Sequence, residues 1–324
     1  MVRSTMDIGL LLTLVLLTSC CYVTMGHMIH VRSIASNNSS TDLAAKRPPT
    51  TPNIRDIFIG RCYEDEQCLQ QDQCLNSTLN GTCEELWEIF NASFAFKDPC
   101  QAGDNTYDQL IATAPPSTMK DQTLFWSGLP SLALNNGRVT RRHTILEETL
   151  IGYAVNGLTW CGQLDNPGIN YVGCPRGPNC TAETMYTFWR AASRAFARQA
   201  RGIVKVALNG SRVDAFRNTS TFATTELRNL NRGYISHVNI LLVYDITIPG
   251  DNKRARCNEG SIYQLQMLLT SYGFSYTCVE NPSDFRYLQC ASDPTNDHCK
   301  PNLASLTTSS SVVLALMLMV HKWI

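Results

Sequence analysis

Apolar side chains recur at three- and four-residue spacing in two stretches of the chain. Over 83–94, Leu86, Trp87, Phe90 and Phe94 fall on one face, and over 182–201 Phe188, Ala192, Ala195 and Phe196 do the same, with Gln199 extending the row. Both patterns predict amphipathic helices, and 145–153 shares the helical character. Further along the pattern changes. Residues 203–208 and 238–244 are short runs of Val, Ile and Leu, as expected of strands buried on both faces. A helix is expected over 261–270, with Ser261 able to cap it, and another strand over 274–279. Strands alternating with helices imply a small parallel sheet with crossover helices. The expected fold is α+β: a helical N-terminal lobe (54–120 plus 145–201), an α/β C-terminal lobe (121–144 plus 202–300), and a cleft between them that would hold any site. No internal repeat is evident.

The two ends have a different character. Arg3 followed by an apolar run over 8–17 and then small and polar residues reads as a secretory signal peptide, assigned to 1–26; an uncleaved signal anchor is the alternative. Residues 27–53 are assigned to a flexible stalk, because 33–52 are rich in Ser, Thr, Asn and Pro with hardly an apolar side chain to offset the entropy of ordering. At the other end a Ser/Thr spacer leads into an apolar run over 312–320. A spanning helix needs about 20 apolar residues, whereas the signal for a GPI anchor needs a tail of only about 10 to 20, so 301–324 are assigned to a removed GPI-attachment signal. A short tail packing on the domain is the blander alternative.

Charge narrows the partners. With 27 basic and 27 acidic side chains, the chain carries no electrostatic footprint for nucleic acid. The roughly 270 residues between the two ends can build one large or two modest domains, and two are expected. Of the 14 cysteines, Cys20 and Cys21 lie in the signal, leaving an even number in a secreted chain, so six disulfides are expected. A zinc site is disfavoured: Cys62, Cys68, Cys74 and Cys83 contain no CxxC pair and no nearby His. Spacing alone leaves their pairing open. Eight glycosylation sequons stand at Asn37, Asn38, Asn76, Asn80, Asn91, Asn179, Asn209 and Asn218, with Asn179 abutting Cys180.

Six segments carry a family likeness: Leu-Phe-Trp-Ser from Leu124, Leu-Glu-Glu-Thr-Leu-Ile-Gly-Tyr from Leu146, Leu-Thr-Trp-Cys-Gly from Leu158, Phe-Trp-Arg-Ala-Ala-Ser from Phe188, Leu-Asn-Gly-Ser-Arg from Leu208 and Ser-Thr-Phe-Ala-Thr-Thr-Glu from Ser220. In this order the chain resembles the ADP-ribosyl cyclase / cyclic ADP-ribose hydrolase family over about 54–299. The resemblance implies an NAD+-cleaving enzyme with a helical lobe and an α/β lobe around a cleft. NAD+ and its analogues would be substrates, with no cofactor and no metal. It also implies the pairings Cys62–Cys83, Cys100–Cys180, Cys161–Cys174, Cys257–Cys278 and Cys290–Cys299, with Cys68–Cys74 left over.

The chemistry explains why such residues are needed. Nicotinamide leaves as a neutral molecule from a cationic pyridinium, so no general acid is required, and the developing oxocarbenium ion must be stabilised by a carboxylate. By resemblance that carboxylate is Glu226. Trp126 and Trp189 match the two site tryptophans; Trp160 and Trp87 are expected in the core. Glu147 and Glu148 match an acidic pair, the first associated with the nicotinamide amide and with the balance of cyclisation and hydrolysis, and paired carboxylates can raise one another's pKa. Ser127, Ser193, Thr221 and Phe222 match positions holding the diphosphate and its ribose. His143 is a further candidate near the acidic pair. Gly128 stands where some relatives carry Arg, which implies a missing charged contact to the diphosphate. Hydrolysis to ADP-ribose and nicotinamide is the leading expectation, cyclisation the runner-up, and a catalytically silent receptor or adhesion ectodomain the alternative of another class. Oligomeric state is not legible.

Overall fold

A computed structural model describes residues 48–70, 79–175, 180, 183–248 and 254–300, with the side chains of 66–70 left out. The signal peptide, most of the stalk, the GPI signal, Asn37, Asn38, Asn76, Asn179 and the Cys68–Cys74 pairing therefore lie outside the described residues.

The N-terminal half is helical. Helix α1 (Ile54–Gln70) packs on α2 (Cys83–Phe94), and α2 starts where Thr82 and Glu85 satisfy each other's backbone: Thr82 Oγ1 accepts from the Glu85 N–H at 3.2 Å and the Glu85 carboxylate accepts from the Thr82 N–H at 2.8 Å. The face predicted for α2 is the one buried. Phe90 sits at its centre, stacked on Phe58 at 4.9 Å and edge-on to Trp160 at 5.3 Å. Trp160 and Trp87 are both core residues, as expected, and the Trp160 indole donates to the buried Tyr107 hydroxyl at 3.0 Å. A short helix α3 (Asp108–Thr113) completes this part.

Four parallel strands follow in the order β1-β2-β3-β4: β1 (Leu124–Ser127), β2 (Gly202–Asn209), β3 (Ile235–Val243) and β4 (Tyr276–Glu280). Parallel neighbours need long crossovers. The first carries α4 (Pro130–Thr140), a tight 3-10 turn (Leu146–Glu148), α5 (Leu150–Val155) and α6 (Thr184–Gln199). The second carries a π-helical turn (Phe222–Glu226), and the third α7 (Gly260–Ser271); α8 (Ser283–Ser292) follows β4.

The predicted strands and the helices over 182–201 and 261–270 are all present, within a few residues of their expected ends. The helix over 145–153 is not continuous. Thr149 is extended, at φ −77° and ψ 155°, and separates the 3-10 turn from α5. Ser261 does not cap α7 either: its hydroxyl accepts from the Phe216 N–H at 3.3 Å and holds the loop after β2. Nor does the stalk extend to residue 53. Thr50 is fully buried, its Oγ1 accepts from the Cys161 N–H at 3.1 Å, and its N–H bonds the Asn170 carbonyl at 3.0 Å. A hydroxyl and an amide that find buried partners order a polar segment that composition alone reads as loose.

One apolar cluster runs from Ile54 and Phe90 through Phe188 and Phe196 to Val204, Val206 and Leu208 of β2 and Leu265 of α7. Helices and sheet thus share a core, and all described residues belong to one compact unit rather than two separately cored domains. Five disulfides are described, and each matches the pairing the resemblance implied: Cys62–Cys83, Cys100–Cys180, Cys161–Cys174, Cys257–Cys278 and Cys290–Cys299.

Candidate active site

Where β1 ends, at the carboxyl edge of the parallel sheet, four elements converge on a cleft of about 270 Å³. Strand β1 delivers Trp126 and Ser127. The turn after Ile145 delivers Glu147. Helix α6 delivers Trp189 and Ser193, four residues apart and so on one face. From the second crossover come Thr221, Phe222 and Glu226.

The π-turn is what aims Glu226. Ser220 opens it, its Oγ accepting from the Ala223 N–H at 3.2 Å, and the Leu227 N–H reaches back five residues to the Phe222 carbonyl. Such wide turns are rare in helices and concentrate at functional sites. Phe222 is buried against Phe125 (5.9 Å), which anchors the turn to β1, and Glu226 is 8 % exposed at the cleft floor. The Ser193 hydroxyl donates to Glu226 Oε1 at 3.0 Å. Burial raises the Glu226 pKa to about 8; the Ser193 bond opposes the rise and the nearby Glu147 adds to it.

Glu147 is half-buried across the cleft, and Trp126 Nε1 donates to its Oε2 at 3.2 Å. Burial raises its pKa too, against the pull of a backbone hydrogen bond and of the Trp126 bond. Trp189 meets Phe188 edge-on at 5.2 Å, so its ring is backed by the core while its other side faces the cleft. A second hollow of about 440 Å³ shares Trp126, Glu147 and Trp189 with the first.

Two expected residues do not line the cleft. Glu148 turns toward α4, where its carboxylate presses on Gly137 and accepts from the Ile145 N–H at 3.5 Å; burial raises its pKa to about 7. On a 3-10 turn neighbouring side chains diverge, so the carboxylate that shares the cleft with Glu147 is Glu226, not Glu148. His143 is buried with Nδ1 2.8 Å from Asn136 Oδ1, and burial holds its pKa down to about 4. In the other direction, the reading of the sequence missed Leu146 and Phe196 as cleft walls. Phe196 lies on the predicted apolar face of its helix, and its spacing of three from Ser193 is the signal that brings it to the cleft.

Comparison with known proteins agrees with this geometry. A family model described as ADP-ribosyl cyclase matches residues 51–299. The chain belongs to the ADP-ribosyl cyclase family. It is 32% identical over 252 residues to an ADP-ribosyl cyclase/cyclic ADP-ribose hydrolase of Aplysia kurodai, covering 77% of this chain and 87% of that one. It is also 31% identical over 255 residues to the ADP-ribosyl cyclase/cyclic ADP-ribose hydrolase 1 of Mus musculus, covering 78% and 81%. Among solved structures, Aplysia cyclase complexed with substrate NGD and product cGDPR superposes with a TM-score of 0.72 at 32% identity, over 80% of this chain and all of that one. Porcine CD38 complexed with a covalent intermediate superposes with a TM-score of 0.66 at 31% identity, over 72% and 98%. This chain is accordingly an enzyme of the ADP-ribosyl cyclase type, with the helical and parallel-sheet fold of that family.

Proposed function

We propose that this enzyme cleaves the nicotinamide–ribose bond of NAD+ outside the cell, releasing ADP-ribose and nicotinamide, and that Glu226 carries the chemistry. The observation behind this reading is a carboxylate buried at the floor of a cleft flanked by two tryptophans. Trp126 and Trp189 offer flat faces to the nicotinamide ring, and Glu147, which burial pushes toward its acid form, is placed to donate from that form to the carboxamide oxygen. As the C–N bond breaks, its electron pair neutralises the pyridinium nitrogen. Positive charge moves onto the ribose, where ionised Glu226 stabilises it or closes on the ribosyl carbon as a nucleophile. Water then attacks that carbon, breaking the bond to Glu226 where one has formed so that the carboxylate is released, and gives up a proton to Glu226 or to solvent.

Hydrolysis is the favoured outcome because the second hollow adjoins the cleft at Trp126, Glu147 and Trp189, leaving room for nicotinamide to depart and for water or another pyridine to enter. Cyclisation is the second reading. It draws support from the cyclic product held by the Aplysia relative. Ser127, Thr221 and Phe222 are assigned to the diphosphate and its ribose. Glu148 and His143 are assigned supporting rather than substrate-contacting roles.

The test is to give the secreted ectodomain NAD+ and resolve the products by chromatography. ADP-ribose should dominate over cyclic ADP-ribose, and Glu226→Gln, which keeps shape and loses charge, should lower kcat by about 10³-fold. A variant as fast as the parent would falsify the role of Glu226. For location, a GPI anchor on the cell surface is proposed, testable by release with phosphatidylinositol-specific phospholipase C. Glycans are proposed first at Asn80 and Asn218, whose side chains are exposed, ahead of the half-buried Asn91 and Asn209.

A further inference from the structure

Between β1 and the loop after β2 lies a guanidinium that the mechanism above does not use. Gly128 lines the cleft with φ +74°, and a Cβ built on it would stand 3.2 Å from Arg212 Nη1. The Arg212 side chain thus occupies the space over Gly128 that a side chain there would fill. Its base is fixed. Asn209 Nδ2 donates to the Gly128 carbonyl at 3.1 Å, Asn209 Oδ1 accepts from the Ser211 N–H at 3.1 Å, the Arg212 N–H bonds the Asn209 carbonyl at 3.2 Å, and Ser211 Oγ accepts from the Asp245 N–H at 2.7 Å. Its head is free: Arg212 is exposed, and among the described residues none accepts from its guanidinium.

Charge makes this position matter. The residues lining the cleft include two carboxylates, Glu147 and Glu226, and no Lys or Arg. A substrate carrying phosphates would meet no opposite charge on entering, unless a cation stood at the mouth. A guanidinium is suited to that task because its planar fork matches two phosphate oxygens at once. From the anchored loop, the unpaired head and a lining without Lys or Arg, we infer that Arg212 is a substrate-positioning residue that binds the diphosphate, replacing the contact that Gly128 cannot make. The inference rests on the NAD+ reading of the cleft and adds the group that holds the phosphates.

The experiment compares the secreted parent with Arg212→Gln and Arg212→Lys on NAD+, nicotinamide mononucleotide and nicotinamide riboside, which carry two, one and no phosphates. Arg212→Gln should raise KM for NAD+ about ten-fold, the equivalent of about 1.4 kcal/mol, with kcat within about two-fold of the parent. The mononucleotide should show a smaller rise, the riboside none, and Arg212→Lys should recover part of the loss. The Kd for ADP-ribose, read from tryptophan fluorescence, should weaken in parallel. An equal effect on the riboside would mean a merely structural role, and an unchanged KM and Kd would mean no contact; either overturns the assignment. So does an equal KM rise in Arg217→Gln, which removes an exposed charge from the same crossover. A parent that binds ADP-ribose through Arg212 yet leaves NAD+ intact would overturn the catalytic reading and leave the phosphate contact standing.

Discussion

The hydrogen bond from Ser193 to Glu226 is stronger when the carboxylate is charged, and the reaction needs that charged form. Burial opposes it by raising the Glu226 pKa to about 8. The two tendencies give a pH dependence with a definite sign. Below about pH 8 the free enzyme holds Glu226 mostly as the neutral acid, which cannot stabilise a ribosyl cation, so kcat/KM should rise from pH 6 and level off above about pH 8. In the complex the substrate's pyridinium favours the ionised form, so the limb in kcat should lie at lower pH than the limb in kcat/KM. Ser193→Ala removes the bond that favours ionisation. Its kcat/KM limb should move to higher pH, and its rate at pH 7 should fall about ten-fold. Profiles for parent and variant that superpose after scaling would show that another group titrates.

A side chain as short as Glu147 reaches its place only because the 3-10 turn beneath it is pinned. Two glycines do the pinning: a Cβ on Gly152 would lie 1.9 Å from the Leu146 carbonyl oxygen, and one on Gly137 would lie 1.9 Å from Glu148 Oε2. Gly137→Ala should therefore push on Glu148, shift the turn and raise KM for NAD+, at a cost in stability of about 1–3 kcal/mol. In a Glu148→Ala background the clash is gone and the cost should largely vanish, a coupling of about 1 kcal/mol or more in denaturant unfolding. Additive costs would mean that Glu148 yields freely and does not hold the turn. This element also marks where sequence reading stops. The long apolar runs over 203–208 and 238–244 announce strands, and the stripe on Phe188 and Phe196 announces a helix, because burial writes a period into the chain. Four-residue β1 is too short to show one, and the break at Thr149 and the π-turn at Phe222–Glu226 depend on contacts distant in sequence. Site residue types were legible through the family segments; that Glu147 faces Glu226 while Glu148 faces Gly137 was not, since both sit in an unbroken helical pattern.

Across the whole molecule, the shared core and the buried acids make a joint prediction. Since residues from Phe90 to Leu265 form one apolar cluster, the protein with its disulfides intact should unfold in a single cooperative transition. The position of that transition should depend on pH. Glu148 and Glu226 are raised from 4.5 to about 7 and about 8, so the stability they contribute is fully present below 4.5 and is lost as pH rises through those values. The raised Glu147 acts in the same direction. His143 has the opposite sign: lowered from 6.5 to about 4, it contributes stability above 6.5 that is lost as pH falls through 4. Between 4.5 and 6.5 the acids outweigh the single histidine, so Tm should be highest near about pH 4 and decline as pH rises, across the range in which catalysis gains. The double variant Glu148→Gln, Glu226→Gln leaves His143 opposed by Glu147 alone and should flatten the decline. If the decline survived in that variant, the cost of charging the cleft would lie in other groups, and the opposition between stability and activity would not centre on Glu226.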